Sequence, residues 1–143
     1  MTTIAIDHDS ISADGRATDG NGYISSDNKK KLFKRDDVIY AFAGAVSDGN
    51  SLIDLVLDGI SPSSNDLDCN LVTIDDEEIL MHSFVDGVLR SWQVTPPYTL
   101  GSGDHFALAA MDLGLNSKQA VKLAMKRDSG SGGRIQTIKY KKG

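Results

Sequence analysis

Three consecutive runs of β-type residues, joined by short turns, constrain the fold more than any other part of the sequence. The runs cover residues 70–74, 79–85 and 88–94, and the second turn consists of Asp86 and Gly87. Short turns between such runs are typical of an antiparallel meander. The chain as a whole also lacks the regular strand–helix alternation of a parallel fold. We therefore expect an α+β protein with antiparallel sheets and helices on their outer faces.

The segments around the meander supply the remaining elements. They predict strands at 2–7 and 10–13, an exposed loop at 19–28, a buried strand at 38–43, a helix from a cap at Ser47 or Asp48 to about Asp58, two helices between 106 and 127, and a strand at 135–140. Helical spacing predicts the buried faces of the last two helices, namely Phe106, Ala109, Ala110 and Leu113 in the first and Val121, Ala124 and Met125 in the second. The second of them has a predicted cap at Asn116 or Ser117.

Length and composition limit the classes of function. A chain of 143 residues with 40% hydrophobic content predicts one domain spanning residues 1–143. Its net charge of -5 argues against nucleic acid as a partner. No leader or membrane-spanning run is evident, which predicts a cytoplasmic protein without a membrane partner. The histidines share no metal-ligand spacing, so we expect neither a metal nor another cofactor, and the lone Cys69 is expected in the core.

The first residues carry the most specific chemical signal. Removal of Met1 would expose Thr2 with a hydroxyl and a free α-amine on the same residue. A hydroxyl is a weak nucleophile at neutral pH, whereas an α-amine titrates near pH ~7.7–8.0 and can accept its proton. Taken alone, Thr2 more simply begins an ordinary strand.

Three other segments are candidate parts of a site, although each has a simpler reading. Asp14 ends the second strand at a glycine turn, where an aspartate commonly bonds its own backbone. Ser102 lies between two glycines ahead of a helix, but the spacing is not that of a phosphate loop. The glycine- and serine-rich segment 129–133 has the composition of a linker, yet it stands between two ordered elements, where binding and catalytic residues often lie.

Six short motifs follow one another along the chain. They are Thr-Thr-Ile-Ala at 2–5, Ala-Asp-Gly-Arg-Ala-Thr at 13–18, Lys-Leu-Phe-Lys at 31–34, Ala-Phe-Ala-Gly at 41–44, Gly-Ser-Gly at 101–103 and Arg-Asp-Ser-Gly-Ser-Gly-Gly at 127–133. In their order and approximate spacing these motifs resemble those of proteasome β-type subunits and HslV-like proteases, which are N-terminal nucleophile (Ntn) hydrolases. The resemblance covers nearly the whole chain.

The resemblance implies a role for each matching residue. Thr2 would be the nucleophile, with its own α-amine as the base. Asp14 would support Thr2 and the family's active-site lysine. Lys31 is the best match for that lysine, and Lys30 is the alternative. A cation near the α-amine would lower the pKa of that amine. The remaining matches are Gly44 as oxyanion-hole donor, Ser102, Asp128 and Ser131 as residues that orient the nucleophile, and Thr18 together with Gly44 as residues that bind the substrate backbone.

The resemblance also implies a four-layer α-β-β-α sandwich, with two antiparallel sheets between helical layers, and assembly into homo-oligomeric rings. One departure stands out, because residues 61–68 are too short and too polar for the family's second helix. One helical layer should therefore be thinner. The resemblance does not predict the contacts that this layer makes in the family, namely contacts within the ring and docking of an ATPase unfoldase. The function implied is a threonine endopeptidase acting on polypeptides. A small-amide amidohydrolase and a catalytically silent ring protein are the two alternatives.

Overall fold

The computed structural model describes residues 2–141 and contains eleven strands and three helices within that range. The strands are β1 (Thr3–Ile6), β2 (Ser10–Ala13), β3 (Ala17–Thr18), β4 (Ile24–Ser26), β5 (Leu32–Arg35), β6 (Val38–Gly44), β7 (Cys69–Ile74), β8 (Ile79–Val85), β9 (Val88–Val94), β10 (Tyr98–Gly101) and β11 (Gln136–Lys139). The helices are α1 (Val46–Asp58), α2 (Asp104–Asp112) and α3 (Ser117–Arg127). The chain divides into two compact units, residues 1–33 with 95–143 and residues 34–94.

The first unit is built on a four-stranded antiparallel sheet in the order β10-β1-β2-β11. The predicted hairpin of β1 and β2 lies at its centre, with β10 paired to β1 and β11 paired to β2. Helices α2 and α3 contact this sheet. Ala5 packs with small residues of these helices, among them Ala107, Ala120 and Ala124, and short side chains of this kind allow the helices to approach the sheet closely.

The second unit contains the meander, with β6, β7, β8 and β9 paired in sequence order and β5 at the other edge of the sheet. Helix α1 packs on it through Leu52 and Ile53, which form an apolar cluster with Leu71 and Phe84 of the sheet. Residues 59–68 form no helix. One helix therefore covers this sheet, as the composition of residues 61–68 predicted.

The predicted α+β class with antiparallel sheets and helices packed on them is confirmed, but several details differ. Helix α1 begins at Val46 after Ala45, which makes no side-chain cap, and not after Ser47 or Asp48. Asp48 instead accepts a hydrogen bond from the Asp68 backbone N–H. The prediction of the capping residue was wrong because the Asp48 carboxylate binds the Asp68 backbone N–H and does not cap the helix.

The predicted inward face of α2 was only partly right. Ala110 is buried as predicted, together with Ala107 and Met111, whereas Phe106, Ala109 and Leu113 are exposed. In a short helix with apolar residues on several sides, spacing alone does not identify the packed face, and the small residues face the sheet here. The face of α3 and its cap at Asn116 are as predicted, and that cap is a complete capping box with Gln119.

The segment predicted as a loop at 19–28 is partly a two-stranded ribbon. Strand β4 pairs with β3, with Thr18 opposite Ile24. Both Tyr23 and Ile24 are exposed in this ribbon. The sequence lacked an apolar alternation here because neither strand buries a face, so the backbone pairing left no hydrophobic pattern to detect.

Candidate active site

Thr2 lies at the entrance to β1 with its side chain almost completely buried. Its Oγ1 is 3.3 Å from the Nζ atom of Lys31. Its backbone N–H donates to the Oγ of Ser102 at 3.3 Å. In the unprocessed chain this nitrogen belongs to the peptide bond with Met1, so it is an amide and not a base. A processed Thr2 would therefore have the Lys31 ammonium beside its hydroxyl and the Ser102 hydroxyl beside its nitrogen.

Asp14 and Lys31 form a buried ion pair beside Thr2. Lys31 Nζ donates to Asp14 Oδ1 at 2.7 Å, and Asp14 is fully buried at the end of β2. Three backbone N–H groups also donate to this carboxylate, from Thr3 at 3.0 Å, Arg16 at 3.2 Å and Gly132 at 3.0 Å. The expected turn-type bond is therefore present at Arg16, together with long-range bonds that a local turn does not require. Four hydrogen-bond donors thus offset the cost of burying this side chain.

The electrostatic state of Lys31 follows from two opposing effects. Burial lowers the pKa of Lys31 below its ordinary value, and the charge and hydrogen bond of Asp14 oppose that shift. The net effect is that Lys31 holds its proton less firmly than a solvent-exposed lysine. Its Nζ donates a hydrogen bond to Thr2 Oγ1 at 3.3 Å.

Ser102, Asp128 and Ser131 form a hydrogen-bonded cluster on the nitrogen side of Thr2. The Oγ atoms of Ser102 and Ser131 both donate to Asp128 Oδ2 at 2.6 Å. The turn after α3 brings Asp128 and Ser131 together, while Ser102 arrives from the turn between β10 and α2. Because the serine protons are directed to the carboxylate, a lone pair of Ser102 is left facing the Thr2 nitrogen.

The same contacts determine the charge state of Asp128. Burial alone would raise the pKa of Asp128, but hydrogen bonds from the Ser102 and Ser131 hydroxyls and from the Gly130 backbone N–H lower it below the ordinary value. The carboxylate is therefore ionised throughout the neutral range. A negative charge at this position favours a protonated amine at Thr2, whereas Lys31 on the other side opposes it.

The neighbouring lysines are placed differently. Lys30 is exposed, and its ammonium lies 5.5 Å from the centre of the Phe33 ring. Lys29 and Lys34 are exposed as well. Of these four lysines, Lys31 is the one with its Nζ at Asp14 and Thr2. Alternation along an extended segment accounts for the different placement of its neighbour Lys30.

Two of the predicted site residues lie outside this network. Thr18 is on β3, paired with Ile24, and is half-buried. Gly44 ends β6 in the second unit with a φ of 132°. A Cβ at Gly44 would lie 2.3 Å from the Asp68 carbonyl oxygen, so this position requires glycine for both its conformation and its space.

Two residues of the network had no role in the sequence-based interpretation. The hydroxyls of Thr3 and Ser131 are 2.6 Å apart, and Thr3 is fully buried. Oε1 of Gln136 accepts hydrogen bonds from the backbone N–H groups of Lys31 at 2.6 Å and Leu32 at 3.2 Å. Thr3 could have been suspected from its position next to Thr2. Gln136 lies more than a hundred residues from its partners, and no local pattern marks it.

The described residues contain no metal-binding cluster, since no three His, Cys, Asp or Glu side chains are grouped suitably within 2–141. In the same range, no helix has the length and apolar character needed to cross a membrane.

Cys69 is buried, and burial raises the pKa of its thiol to about 12. A thiol with so high a pKa is a core residue and not a nucleophile.

Comparison with solved structures identifies the fold. The structure is similar to eukaryotic HslV from Trypanosoma brucei, with a TM-score of 0.75 and 20% identity over 96% of this chain and 97% of that chain. It is also similar to BPH from Thiobacillus denitrificans in complex with epoxomicin (TM-score 0.71, 16% identity, 96% of both chains) and to BPH in a second structure (0.67, 16%, 96% and 95%). No protein-family model and no curated protein matches the sequence. The chain therefore has the fold of HslV and BPH, in agreement with the resemblance of its motifs to HslV-like proteins, and at these identities the likeness shows the fold alone.

Proposed function

We propose that the protein is an N-terminal threonine endopeptidase, active once Met1 has been removed. The observation that carries this proposal is the network around Thr2, where Oγ1 lies 3.3 Å from Lys31 Nζ and the nitrogen contacts Ser102. The similarity of the fold to that of HslV supports it.

The reaction would begin with attack of the Thr2 hydroxyl on a peptide carbonyl. The α-amine, directly or through one water, takes the hydroxyl proton, and the peptide amine leaves with a proton to give an acyl ester. Water activated by the same amine then hydrolyses the ester and regenerates Thr2. The amine is a base only when it carries no acyl group, so the mechanism requires cleavage between Met1 and Thr2.

Each surrounding group would have a distinct task. Lys31 would stabilise the alkoxide that develops on Thr2 and lower the pKa of the amine, while Asp14 holds the lysine at 2.7 Å. Ser102, Asp128 and Ser131 would orient the amine. The N–H of Gly44 would serve as the oxyanion donor, and Thr18 and Gly44 would bind the backbone of an extended substrate.

We further propose that the enzyme works inside a homo-oligomeric ring in the cytoplasm and degrades unfolded polypeptides. Enclosure of the active sites would limit proteolysis to chains that enter. Exposed apolar residues such as Trp92, Val88 and Leu89 offer surface for contacts between copies. An ATPase unfoldase is the expected partner for folded substrates. Light scattering that finds a stable monomer at micromolar concentration would contradict the enclosed chamber.

The decisive experiment joins intact mass spectrometry to a peptide-hydrolysis assay. We expect active protein to begin at Thr2, and Thr2→Ala to fold and assemble without measurable activity. Loss of the base alone typically costs about 10²–10⁴-fold in rate, and loss of the nucleophile costs more. Activity in protein that retains Met1, or full activity in Thr2→Ala, would refute the mechanism. Uniform retention of Met1 without activity would indicate a silent ring protein.

Two further measurements identify the substrate class and the position of the reactive residue. An unfolded polypeptide should be degraded, whereas hydrolysis of small amides alone would indicate an amidohydrolase. Since BPH is found in complex with epoxomicin, that compound is a suitable probe. We expect it to bind the protein that begins at Thr2 and to bind neither Thr2→Ala nor protein that carries Met1.

A further inference from the structure

The turn that carries Asp128 and Ser131 is held from its outer side by a pair of charged residues with no role in the reaction proposed above. Arg16 Nε donates to Asp27 Oδ1 at 2.8 Å, and Arg16 Nη2 donates to Asp27 Oδ2 at 3.3 Å. A guanidinium bound to both carboxylate oxygens has a defined orientation. The remaining nitrogen, Nη1, donates to the Ser129 carbonyl oxygen at 3.3 Å.

The backbones of both residues are also linked to the turn, Arg16 indirectly through Asp14 and Asp27 through Arg134, the residue that follows the turn. The Arg16 N–H donates to Asp14, which also accepts from Gly132. The Asp27 carbonyl oxygen accepts from the Arg134 N–H at 2.8 Å. The Asp27 carboxylate, about half exposed, has its pKa lowered by the hydrogen bond from Arg16. The two residues therefore bridge the start and the end of the turn.

Gly132 shows how closely the guanidinium lies against the turn. A Cβ at this position would be 2.5 Å from Arg16 Cζ, closer than any side-chain carbon can approach. The Gly132 backbone also donates to Asp14 and accepts from the Gly15 N–H at 2.8 Å. The turn is thus enclosed between the Arg16 side chain on one side and the Asp14 carboxylate on the other.

We propose that Arg16 and Asp27 are positioning residues that hold the 128–133 turn in register with Asp14, and thereby place Asp128 and Ser131 around the Thr2 amine. This inference rests on the proposed function for its catalytic consequence. Neither side chain contacts Thr2, so both act through the turn. Their effect should therefore appear in the rate of the chemical step and not in substrate binding.

The test compares Arg16→Gln, Arg16→Lys and Asp27→Asn with Arg35→Gln. The Arg35–Asp58 pair serves as the control, since its nitrogen and oxygen are 2.9 Å apart and its carboxylate is as exposed as that of Asp27, although its arginine is more exposed than Arg16. It lies in the second unit. Hydrogen exchange of the segment 128–134, followed by mass spectrometry on the full chain, measures the turn without requiring activity. We expect exchange about tenfold faster in Arg16→Gln and Asp27→Asn, and unchanged exchange in Arg35→Gln.

Kinetics test the catalytic consequence. Arg16→Gln and Asp27→Asn should lower kcat about tenfold with KM unchanged, and the double variant should lose no more than either single one. Arg16→Lys should recover part of kcat, because a lysine pairs with Asp27 but does not also reach Ser129. Exchange that is unchanged in Arg16→Gln, or faster exchange with full kcat, would overturn the proposal. An inactive parent protein would refute the proposed function, while the exchange result would still decide whether this pair holds the turn.

Discussion

The two units bury polar side chains in different ways. In the first, Asp14, Lys31, Thr3 and Ser131 belong to one network of charged and hydroxyl groups around the first residues. In the second, His82 lies between two hydroxyls, with Nε2 2.8 Å from Thr73 and Nδ1 2.7 Å from Ser91. The first network contains full charges, whereas the second is neutral.

The first network is the more costly of the two to bury. Burying two charges costs several kcal/mol per ion, which their mutual attraction offsets only when the geometry is favourable. A neutral ladder of hydroxyl, imidazole and hydroxyl satisfies its donors and acceptors at a lower cost. Burial of the Asp14–Lys31 ion pair is therefore costly for stability. The proposed catalytic role would explain why this pair lies next to Thr2.

The largest expected effect separates Lys31 from its neighbours in activity. Lys31→Met should lower kcat about 10²–10³-fold, because the developing alkoxide on Thr2 loses its cationic partner. Lys30→Met, Lys29→Met and Lys34→Met remove exposed charges and should retain the parent activity. A peptide-hydrolysis assay on processed protein measures all four. Full turnover in Lys31→Met with loss in Lys30→Met would transfer the role to Lys30.

The second prediction asks which partners of Asp14 matter for stability. Asp14→Leu leaves a buried ammonium and three backbone N–H groups without their acceptor, so it should lower the free energy of unfolding by about 3–5 kcal/mol. Lys31→Met leaves the carboxylate with those three donors and should cost less, about 1–3 kcal/mol. Urea unfolding at pH 7 measures both. An equal or larger loss in Lys31→Met would mean that the ion pair dominates.

The third prediction concerns the neutral ladder and pH. Burial lowers the pKa of His82 below its ordinary value of about 6.5, so the unfolded chain binds a proton more readily than the folded one. The stability contributed by neutral His82 is therefore complete above pH ~6.5 and is lost as the pH falls toward its folded pKa. His82→Gln should reduce this pH dependence of the free energy of unfolding. An identical dependence in parent and variant would show that His82 is not its source.

The smallest expected effect compares the helix caps of the two units. Asn116→Ala removes the capping box of α3 and should cost about 1 kcal/mol. Ala45 has the extended backbone of a capping residue but no capping side chain, so Ala45→Ser should stabilise α1 by about 0.5–1 kcal/mol. Thermal unfolding of both variants provides the comparison. Destabilisation by Ala45→Ser would mean that the first turn of α1 does not accommodate a capping side chain.

Much of the fold could be predicted because its signals are local. The meander, the N-terminal hairpin, the helix capped at Asn116 and the thinner helical layer each follow from short patterns or from a segment too polar to form a helix. The errors arose where the local sequence pattern does not decide the structure. Asp48 was engaged by Asp68, α2 offered more than one apolar face, and the ribbon of β3 and β4 buries no face at all.

The sequence by itself determined the chemistry available, namely a threonine after Met1, an aspartate after the second strand, one lysine in the alternating position and a serine-rich turn near the end. The tertiary structure decided which of these groups meet. It brought Asp14 to the N–H of Gly132, Ser102 to Asp128, and Gln136 to the backbone of Lys31. These contacts join residues 26 to 118 positions apart. Burial and sheet pairing set such distances, and neither is encoded in any short stretch of sequence.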